Sequence, residues 1–120
     1  MTNRRKKTHK RLNIALIGCG RASADHLKAI YFFEKRRFVE LRAIVDKNEQ
    51  AIESVLASRS SQFKRPIVSD NIDDVLEKTQ IDLTVIATPP ASHFPLAAKA
   101  LDAHSHLIVE KPLTLDMGEA

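Results

Sequence analysis

The sequence predicts an α/β fold in which helices cover both faces of a doubly wound parallel sheet. Short apolar runs alternate along the chain with longer stretches whose apolar residues recur every three or four positions. The first run, Leu12–Ile17, is almost continuously apolar, which is typical of a strand buried on both faces. It leads directly into Gly18-Cys19-Gly20, a tight turn from strand to helix. Because strand–helix–strand units are joined by right-handed crossovers, this alternation predicts parallel strands.

Four further strands are predicted from short runs rich in valine, isoleucine and leucine. Each follows a helical stretch, so that five strands in total form one sheet. These four strands are Val39–Val45, Pro66–Val68, Ile81–Ala87 and Leu107–Val109.

Four helices are predicted from apolar residues that recur on one face. Their apolar faces carry, in order, Leu27, Ile30 and Tyr31; Ala51, Ile52, Val55 and Leu56; Ile72, Val75 and Leu76; and Phe94, Ala97 and Leu101. Asn48, either Asp70 or Asn71, and Ser92 are the predicted N-caps of the second, third and fourth helices. Residues 114–120 are predicted to open a further helix.

The composition is that of an ordinary globular domain. Of the 120 residues, 43% are hydrophobic and 28% are charged, and no apolar run is long enough to cross a membrane. The apolar stretch Leu12–Ile17 is also too short for the apolar region of a secretory signal. The single cysteine, Cys19, cannot form an internal disulfide, which agrees with a reducing compartment. We therefore expect a cytoplasmic protein without a membrane partner.

The net charge of +4 is concentrated at the N-terminus. Residues 1–11 hold six of the 19 Lys and Arg residues and no acid, so the remaining residues have a balance of −2. We predict that this basic segment is a solvated, disordered tail. The alternative is a contact with nucleic acid or anionic lipid. The lack of interleaved aromatic side chains weighs against nucleic acid.

A glycine motif lies between the first strand and the first helix. It reads G-x-G-x-x-S and comprises Gly18, Cys19, Gly20, Arg21, Ala22 and Ser23. The first glycine permits the tight turn, the second lets a pyrophosphate approach the backbone, and the third position must be small. The N–H groups of the first helical turn would then face the phosphates. The alternative is a glycine turn without a ligand, but its position after the first strand favours the phosphate site.

Asp46 ends the second strand, where a carboxylate can accept hydrogen bonds from both hydroxyls of an adenosine ribose. The same carboxylate would repel the 2′-phosphate of NADP, so this residue favours NAD. The neighbouring cation of Lys47 weakens that preference. The alternative is an aspartate that only shapes the turn before the second helix.

Two further groups of polar residues follow the fourth and fifth strands. Thr88 and Pro89 begin a rigid turn, and His93 falls at the start of the next helix, where a structural hydrogen bond is its alternative role. Glu110 and Lys111 follow the fifth strand, and the lysine could hold a substrate hydroxyl and stabilise developing charge. A surface salt bridge is the alternative for this pair. Because ligands of open α/β sheets bind at the carboxyl ends of the strands, all these residues are predicted to face one crevice.

With this combination of motifs, the sequence resembles the Gfo/Idh/MocA family of oxidoreductases. The segments that carry the resemblance are Gly18-Cys19-Gly20-Arg21, Val45-Asp46, Ala87-Thr88-Pro89-Pro90 with His93, and Val109-Glu110-Lys111-Pro112-Leu113. The resemblance covers Leu12 to the C-terminus and implies a Rossmann fold. It also implies that residues 12–120 are a truncated dinucleotide-binding domain, whose sheet is incomplete at its C-terminal edge because the sixth strand is missing.

The resemblance implies a nicotinamide cofactor, which Asp46 predicts to be NAD, and a sugar, sugar-nucleotide or polyol substrate. It implies that Lys111 is the active-site lysine, and no metal site is predicted. The expected cofactor-binding residues are Gly18, Cys19, Gly20, Arg21, Ala22, Asp46, Thr88, Pro89, His93, Glu110 and Lys111. The family adds a C-terminal domain with the substrate pocket, a catalytic histidine and the oligomer interface. We therefore expect a homo-oligomeric dehydrogenase at full length and no activity from these 120 residues alone; the alternative is a non-catalytic nucleotide-binding module.

Overall fold

A parallel five-stranded sheet forms the centre of the structure. The computed structural model describes residues 10–109, apart from the side chain of Pro90. The strands are β1 (Leu12–Ile17), β2 (Val39–Val45), β3 (Ile67–Ser69), β4 (Leu83–Ile86) and β5 (His106–Val109). They lie in the order β3-β2-β1-β4-β5, and every neighbouring pair is parallel.

Four helices cover the two faces of the sheet, which confirms the predicted doubly wound fold. They are α1 (Ala24–Lys35), α2 (Glu49–Ala57), α3 (Ile72–Lys78) and α4 (His93–Asp102). One core joins Ile14 and Leu16 of β1 to α1 and α2, and the other joins Ala15 and Ile17 to α3 and α4. Successive side chains of a strand point to opposite faces, so this two-sided burial explains the continuous apolar run of β1.

Asparagine side chains begin two of the helices. Asn48 Oδ1 accepts hydrogen bonds from two backbone N–H groups at the start of α2, at 2.9 and 3.2 Å, as predicted. Of the two candidates for α3, Asn71 is the cap, and its Oδ1 accepts from the N–H of Asp73 at 2.8 Å. Ser92 is the N-cap residue of α4 at the predicted position, but its hydroxyl turns back toward the preceding residues and makes no capping bond to an N–H group of the helix.

The boundaries of several elements differ from the predicted ones, and those of β3 and β5 do so by a single residue. β4 begins at Leu83 rather than Ile81, because the Asp82 side chain takes the place of a ladder acceptor and receives the N–H of Asn13 at 2.7 Å. The first helix begins with a short 3₁₀ turn, Arg21–Ser23, before α1 proper.

Several predictions lie outside the described residues. These are the disorder predicted for residues 1–11, of which only Lys10 and Arg11 are described, the helix predicted at residues 114–120, and the placement of Glu110 and Lys111. Within residues 10–109, no helix is long and apolar enough to span a bilayer.

His104, just after α4, has a left-handed backbone conformation with φ of +63°. Such a conformation is unfavourable for a residue with a Cβ atom and suits glycine. We expect His104→Gly to raise the free energy of unfolding by several tenths to about 1 kcal/mol, since it relieves this strain. Urea denaturation measures the change. Ala103→Gly is the matched control: Ala103 has φ of −90°, so its replacement should lower stability. Equal effects at both positions would contradict the explanation.

Candidate functional site

Gly18 places the glycine turn directly against the end of β4. Its φ is +99°, and a Cβ atom added there would lie 2.8 Å from both the carbonyl carbon and the oxygen of Ala87. The Gly18 N–H also donates to the Val45 carbonyl at 2.8 Å. Only glycine fits this position, because both the backbone angle and the packing exclude a side chain. The turn therefore touches the carboxyl ends of β2 and β4 at once.

Gly20 differs from Gly18, because nothing lies within 4 Å of a Cβ atom built on it. Its φ of −81° and ψ of −162° are open to any residue, so the fold itself does not require glycine here. The missing side chain leaves open space beside the backbone, as close approach of a pyrophosphate requires. Ser23, in the third motif position, is 1% exposed, and its hydroxyl donates to the Gly20 carbonyl at 2.6 Å. A small residue is thus needed there, as predicted from the motif.

Asp46 connects the end of β2 to the glycine turn. Its Oδ2 accepts the N–H of Cys19 at 2.7 Å, and its Oδ1 accepts the N–H of Asn48 at 2.8 Å. The carboxylate is only partly buried, so both oxygens keep capacity for a further donor. Asp46 therefore shapes the turn, which was the alternative role, and still presents a carboxylate to the crevice.

The Cys19 thiol is buried within the glycine turn. Burial, together with the negative charge of Asp46, raises the pKa of Cys19 to about 12. The thiol therefore stays protonated near neutral pH and is a poor nucleophile. Cys19 contributes to the glycine turn through its backbone, because its N–H donates to the carboxylate of Asp46.

The turn after β4 is held by hydrogen bonds among its own residues. His93 is fully buried, and its Nε2 donates to the Thr88 carbonyl at 2.6 Å. The Ser92 hydroxyl lies 2.6 Å from Thr88 Oγ1 and 2.9 Å from the Pro89 carbonyl oxygen. His93 therefore makes the structural hydrogen bond that was its alternative role, and this bond holds the backbone of Thr88.

A cleft of about 770 Å³ opens at the carboxyl ends of β1 to β4. Of the residues predicted from the sequence, Asp46, Thr88 and Pro89 line it. Other residues of the lining that the site prediction missed include Lys47, Asp70, Asn71, Ile72, Ser92, Leu96 and Lys99. Asp70 and Asn71 directly follow β3. They could have been predicted from the sequence, because ligands bind at the carboxyl ends of the strands in such sheets. Lys99 and Leu96 lie within α4 and carry no such signal.

Both signs of charge are present around the cleft. Lys99 Nζ lies 2.9 Å from Asp73 Oδ2, and this ion pair links α4 to α3. Both side chains are about half exposed, at 46% and 50%, so solvent screens the pair and leaves the lysine able to exchange partners. Arg21 and Ala22 are exposed on the 3₁₀ turn before α1, and they are not among the residues that line the cleft.

These features define a dinucleotide-binding Rossmann domain. A glycine turn contacts two strand ends, the next helix begins beside it, and a carboxylate ends β2. The open space at Gly20 fits a pyrophosphate, and the size of the cleft suits an adenosine. In the part of the chain that the structure describes, no three His, Cys, Asp or Glu side chains come together as a metal site would require.

The chain belongs to the Gfo/Idh/MocA family. Residues 12–120 match this oxidoreductase family, which is described by its NAD-binding Rossmann fold. This match confirms three predictions from the sequence: membership of the Gfo/Idh/MocA family, the Rossmann fold class and the NAD cofactor.

Individual relatives agree with the family assignment. Inositol 2-dehydrogenase 1 of Paenarthrobacter aurescens (strain TC1) is 32% identical, over 92% of this chain and 31% of that protein. A glycosyl hydrolase family 109 protein of Shewanella sp. (strain W3-18-1) is 30% identical, over 90% of this chain and 24% of that protein. The WlbA dehydrogenase of Bordetella pertussis, solved with NADH and UDP-GlcNAcA, is 28% identical with a TM-score of 0.78. That comparison covers 91% of this chain and 31% of the other, so the chain spans about a third of these proteins at most.

Proposed function

We propose that the protein containing this chain is an NAD-dependent dehydrogenase that oxidises a hydroxyl group of a sugar, sugar nucleotide or polyol. One observation supports this proposal most directly. The glycine turn contacts Asp46 at the end of β2 and also contacts the segment after β4 that contains Thr88. The substrate class is supported by the relatives, which include a dehydrogenase for inositol and one solved with a sugar nucleotide. The chain alone holds the cofactor side of such a site.

The described residues have separate roles in holding NAD. Gly20 admits the pyrophosphate, and the N–H groups of Arg21 and Ala22 at the start of the helix face its charge. Asp46 accepts the ribose hydroxyls while it holds the turn. Thr88 and Pro89 form the opposite wall of the cleft. When bound, the nicotinamide accepts or returns a hydride at C4.

Outside the described residues, we assign the family's active-site lysine to Lys111. A lysine beside the substrate hydroxyl lowers the barrier by stabilising the charge that develops as the hydride leaves. Glu110 is proposed to line the same end of the cleft.

A glycoside hydrolase is a second candidate, because the Shewanella relatives carry that description at similar identity. Assays of the full-length protein distinguish the two functions. Reduction of NAD with a panel of inositols and UDP-sugars supports the dehydrogenase, whereas release of aryl alcohol from aryl glycosides supports the hydrolase. NAD binding without either activity would favour a non-catalytic module.

NAD should bind at least about tenfold more tightly than NADP to the full-length protein, because Asp46 repels a 2′-phosphate. Asp46→Ala should narrow that difference. It should also weaken NAD binding itself, since the Cys19 N–H loses its acceptor at 2.7 Å. Lys47→Ala is the control, and removing this neighbouring cation should widen the preference for NAD. Fluorescence titration with NADH and NADPH measures the ratio of the two dissociation constants for the wild type and for each variant. Tighter NADPH binding by the wild type would refute the assignment.

Lys111→Ala in the full-length enzyme should lower kcat by at least about a hundredfold and change the Kd for NADH by less than about threefold. A cation that acts mainly on the transition state affects turnover more than ground-state binding. Lys99→Ala, at the rim of the cleft, is the matched control and should keep most of the turnover. Loss of NADH binding with normal turnover in the Lys111 variant would remove this residue from the chemistry.

A further inference from the structure

The end of the sheet opposite the cleft carries exposed aromatic side chains. Phe32, Phe33 and Phe38 are each about half exposed, at 49%, 46% and 46%. Their rings pack edge to face, with centroids 5.1 Å apart for Phe32 and Phe33 and 6.4 Å apart for Phe33 and Phe38. Leu12, 49% exposed, adjoins them through a 3.0 Å hydrogen bond from its N–H to the Phe38 carbonyl. We call these four residues the aromatic patch.

The chain segments around the aromatic patch are strongly basic. Segments 10–12, 32–38 and 59–65 hold eight Lys and Arg residues and a single acid, Glu34. Glu34 is buried and bonded to Arg59, and this contact joins the third segment to α1. The other cations are Lys10, Arg11, Lys35, Arg36, Arg37, Lys64 and Arg65, and all but the half-buried Arg11 are exposed.

The aromatic patch lies away from the cofactor cleft. It is at the amino ends of β1 and β2, whereas the cleft is at the carboxyl ends of the strands. The chain leaves β5 at Val109, which is at the carboxyl end of a strand on the far side of β1 and β4. The patch therefore lies at the amino ends of the strands, whereas Val109 lies at the carboxyl end of β5.

Although the sequence led us to expect no membrane partner, we propose that the aromatic patch and its cations dock the protein on the surface of an anionic phospholipid bilayer. Such a surface combines negative headgroups with an apolar layer just beneath them, which matches phenylalanines rimmed by Lys and Arg. This surface is separate from the proposed dehydrogenase site, so either can fail without the other.

Two other occupants fit the aromatic patch less well. A second copy of the chain would bring two sets of cations together, and like charges repel. Single-stranded nucleic acid stacks its bases on open ring faces. Here the rings stand nearly perpendicular, at 84° and 75°, and the Arg36 guanidinium covers one face of Phe32 at 3.6 Å. Exposed rings in this edge-to-face arrangement suit insertion into lipid better than stacking with bases.

Sedimentation of the full-length protein with vesicles tests the proposal. We expect binding to phosphatidylcholine vesicles that contain about 30% phosphatidylserine and little binding to pure phosphatidylcholine. Arg36→Glu combined with Arg37→Glu should lower the partition coefficient by at least about tenfold, and so should Phe33→Ser alone. Lys99→Glu, an exposed charge reversal at the cleft end of the sheet, is the control and should change it by less than about twofold. NADH titration and thermal melting verify that each variant is folded.

Three outcomes would overturn the proposal. The first is equal sedimentation of the wild type with charged and neutral vesicles, or with neither. The second is a wild-type dimer in analytical ultracentrifugation that Phe33→Ser dissociates, without vesicle binding, which would assign the patch to a second copy. The third is binding of a single-stranded oligonucleotide that Phe33→Ser abolishes, again without vesicle binding.

Discussion

Replacing Gly18 with alanine should lower the free energy of unfolding by about 2–5 kcal/mol and abolish NAD binding. The new Cβ atom would meet the Ala87 carbonyl carbon and oxygen at 2.8 Å, and φ of +99° is unfavourable for alanine. These neighbours are backbone atoms, so they cannot move aside without distorting the end of β4. Urea denaturation and NADH fluorescence titration measure the two effects.

Gly20→Ala is the matched control for this substitution. Nothing in the protein lies within 4 Å of its new Cβ atom, so stability should change by less than about 0.5 kcal/mol. NADH affinity should nevertheless fall by at least about tenfold, because the methyl group occupies the space proposed for the pyrophosphate. The two glycines should thus separate folding from binding. A Gly20 variant with normal affinity, or a Gly18 variant with normal stability, would contradict the roles assigned to them.

Glu34→Ala should be the other strongly destabilising substitution, at about 3–5 kcal/mol. The Glu34 side chain is 2% exposed and bonds Arg59 at 3.1 Å, and it also accepts the N–H of Leu41 at 3.0 Å. Its removal leaves a guanidinium and a backbone N–H buried without their acceptor. The contact joins α1, β2 and the end of α2, so the loss should appear in global unfolding rather than local fraying.

The ion pair between Lys99 and Asp73 provides the comparison for Glu34. Both of its side chains are about half exposed, so Asp73→Ala should lower the free energy of unfolding by less than about 1 kcal/mol. Thermal or urea unfolding of the Glu34→Ala and Asp73→Ala variants, at one pH and salt concentration, measures the two losses of stability. Similar losses for the two variants would show that burial does not set the strength of these pairs.

Much of the fold could be predicted because the sequence of β1 indicates both its burial and the point where the strand ends. A run that is apolar on both faces requires a cover on both sides, and the glycine turn marks where the strand must end. Asn48 and Asn71 could be proposed as caps, since asparagine before an apolar helical face has a local function. These features depend on neighbours in the sequence.

The remaining features of the site depend on contacts between distant residues. The bond from Cys19 to Asp46 spans 27 positions, and no local pattern shows that the carboxylate holds the turn. His93 could be predicted to bind the cofactor or to make a structural hydrogen bond, but no local pattern shows that the packing of α4 buries it completely. Lys99 reaches the cleft only through the placement of its helix against α3. Each of these depends on tertiary packing, which periodicity does not encode.

The strand order also sets a sequence of events during synthesis. β1 pairs on one side with β2, which follows it closely, and on the other with β4, where Ile14 lies opposite Leu83. While the ribosome makes the intervening residues, β1 and β2 can associate but the other edge of β1 stays unpaired. That edge belongs to the most apolar strand of the chain, and exposed edges of this kind recruit other strands. The interval before β4 emerges is therefore when a nascent chain is most in need of protection by chaperones.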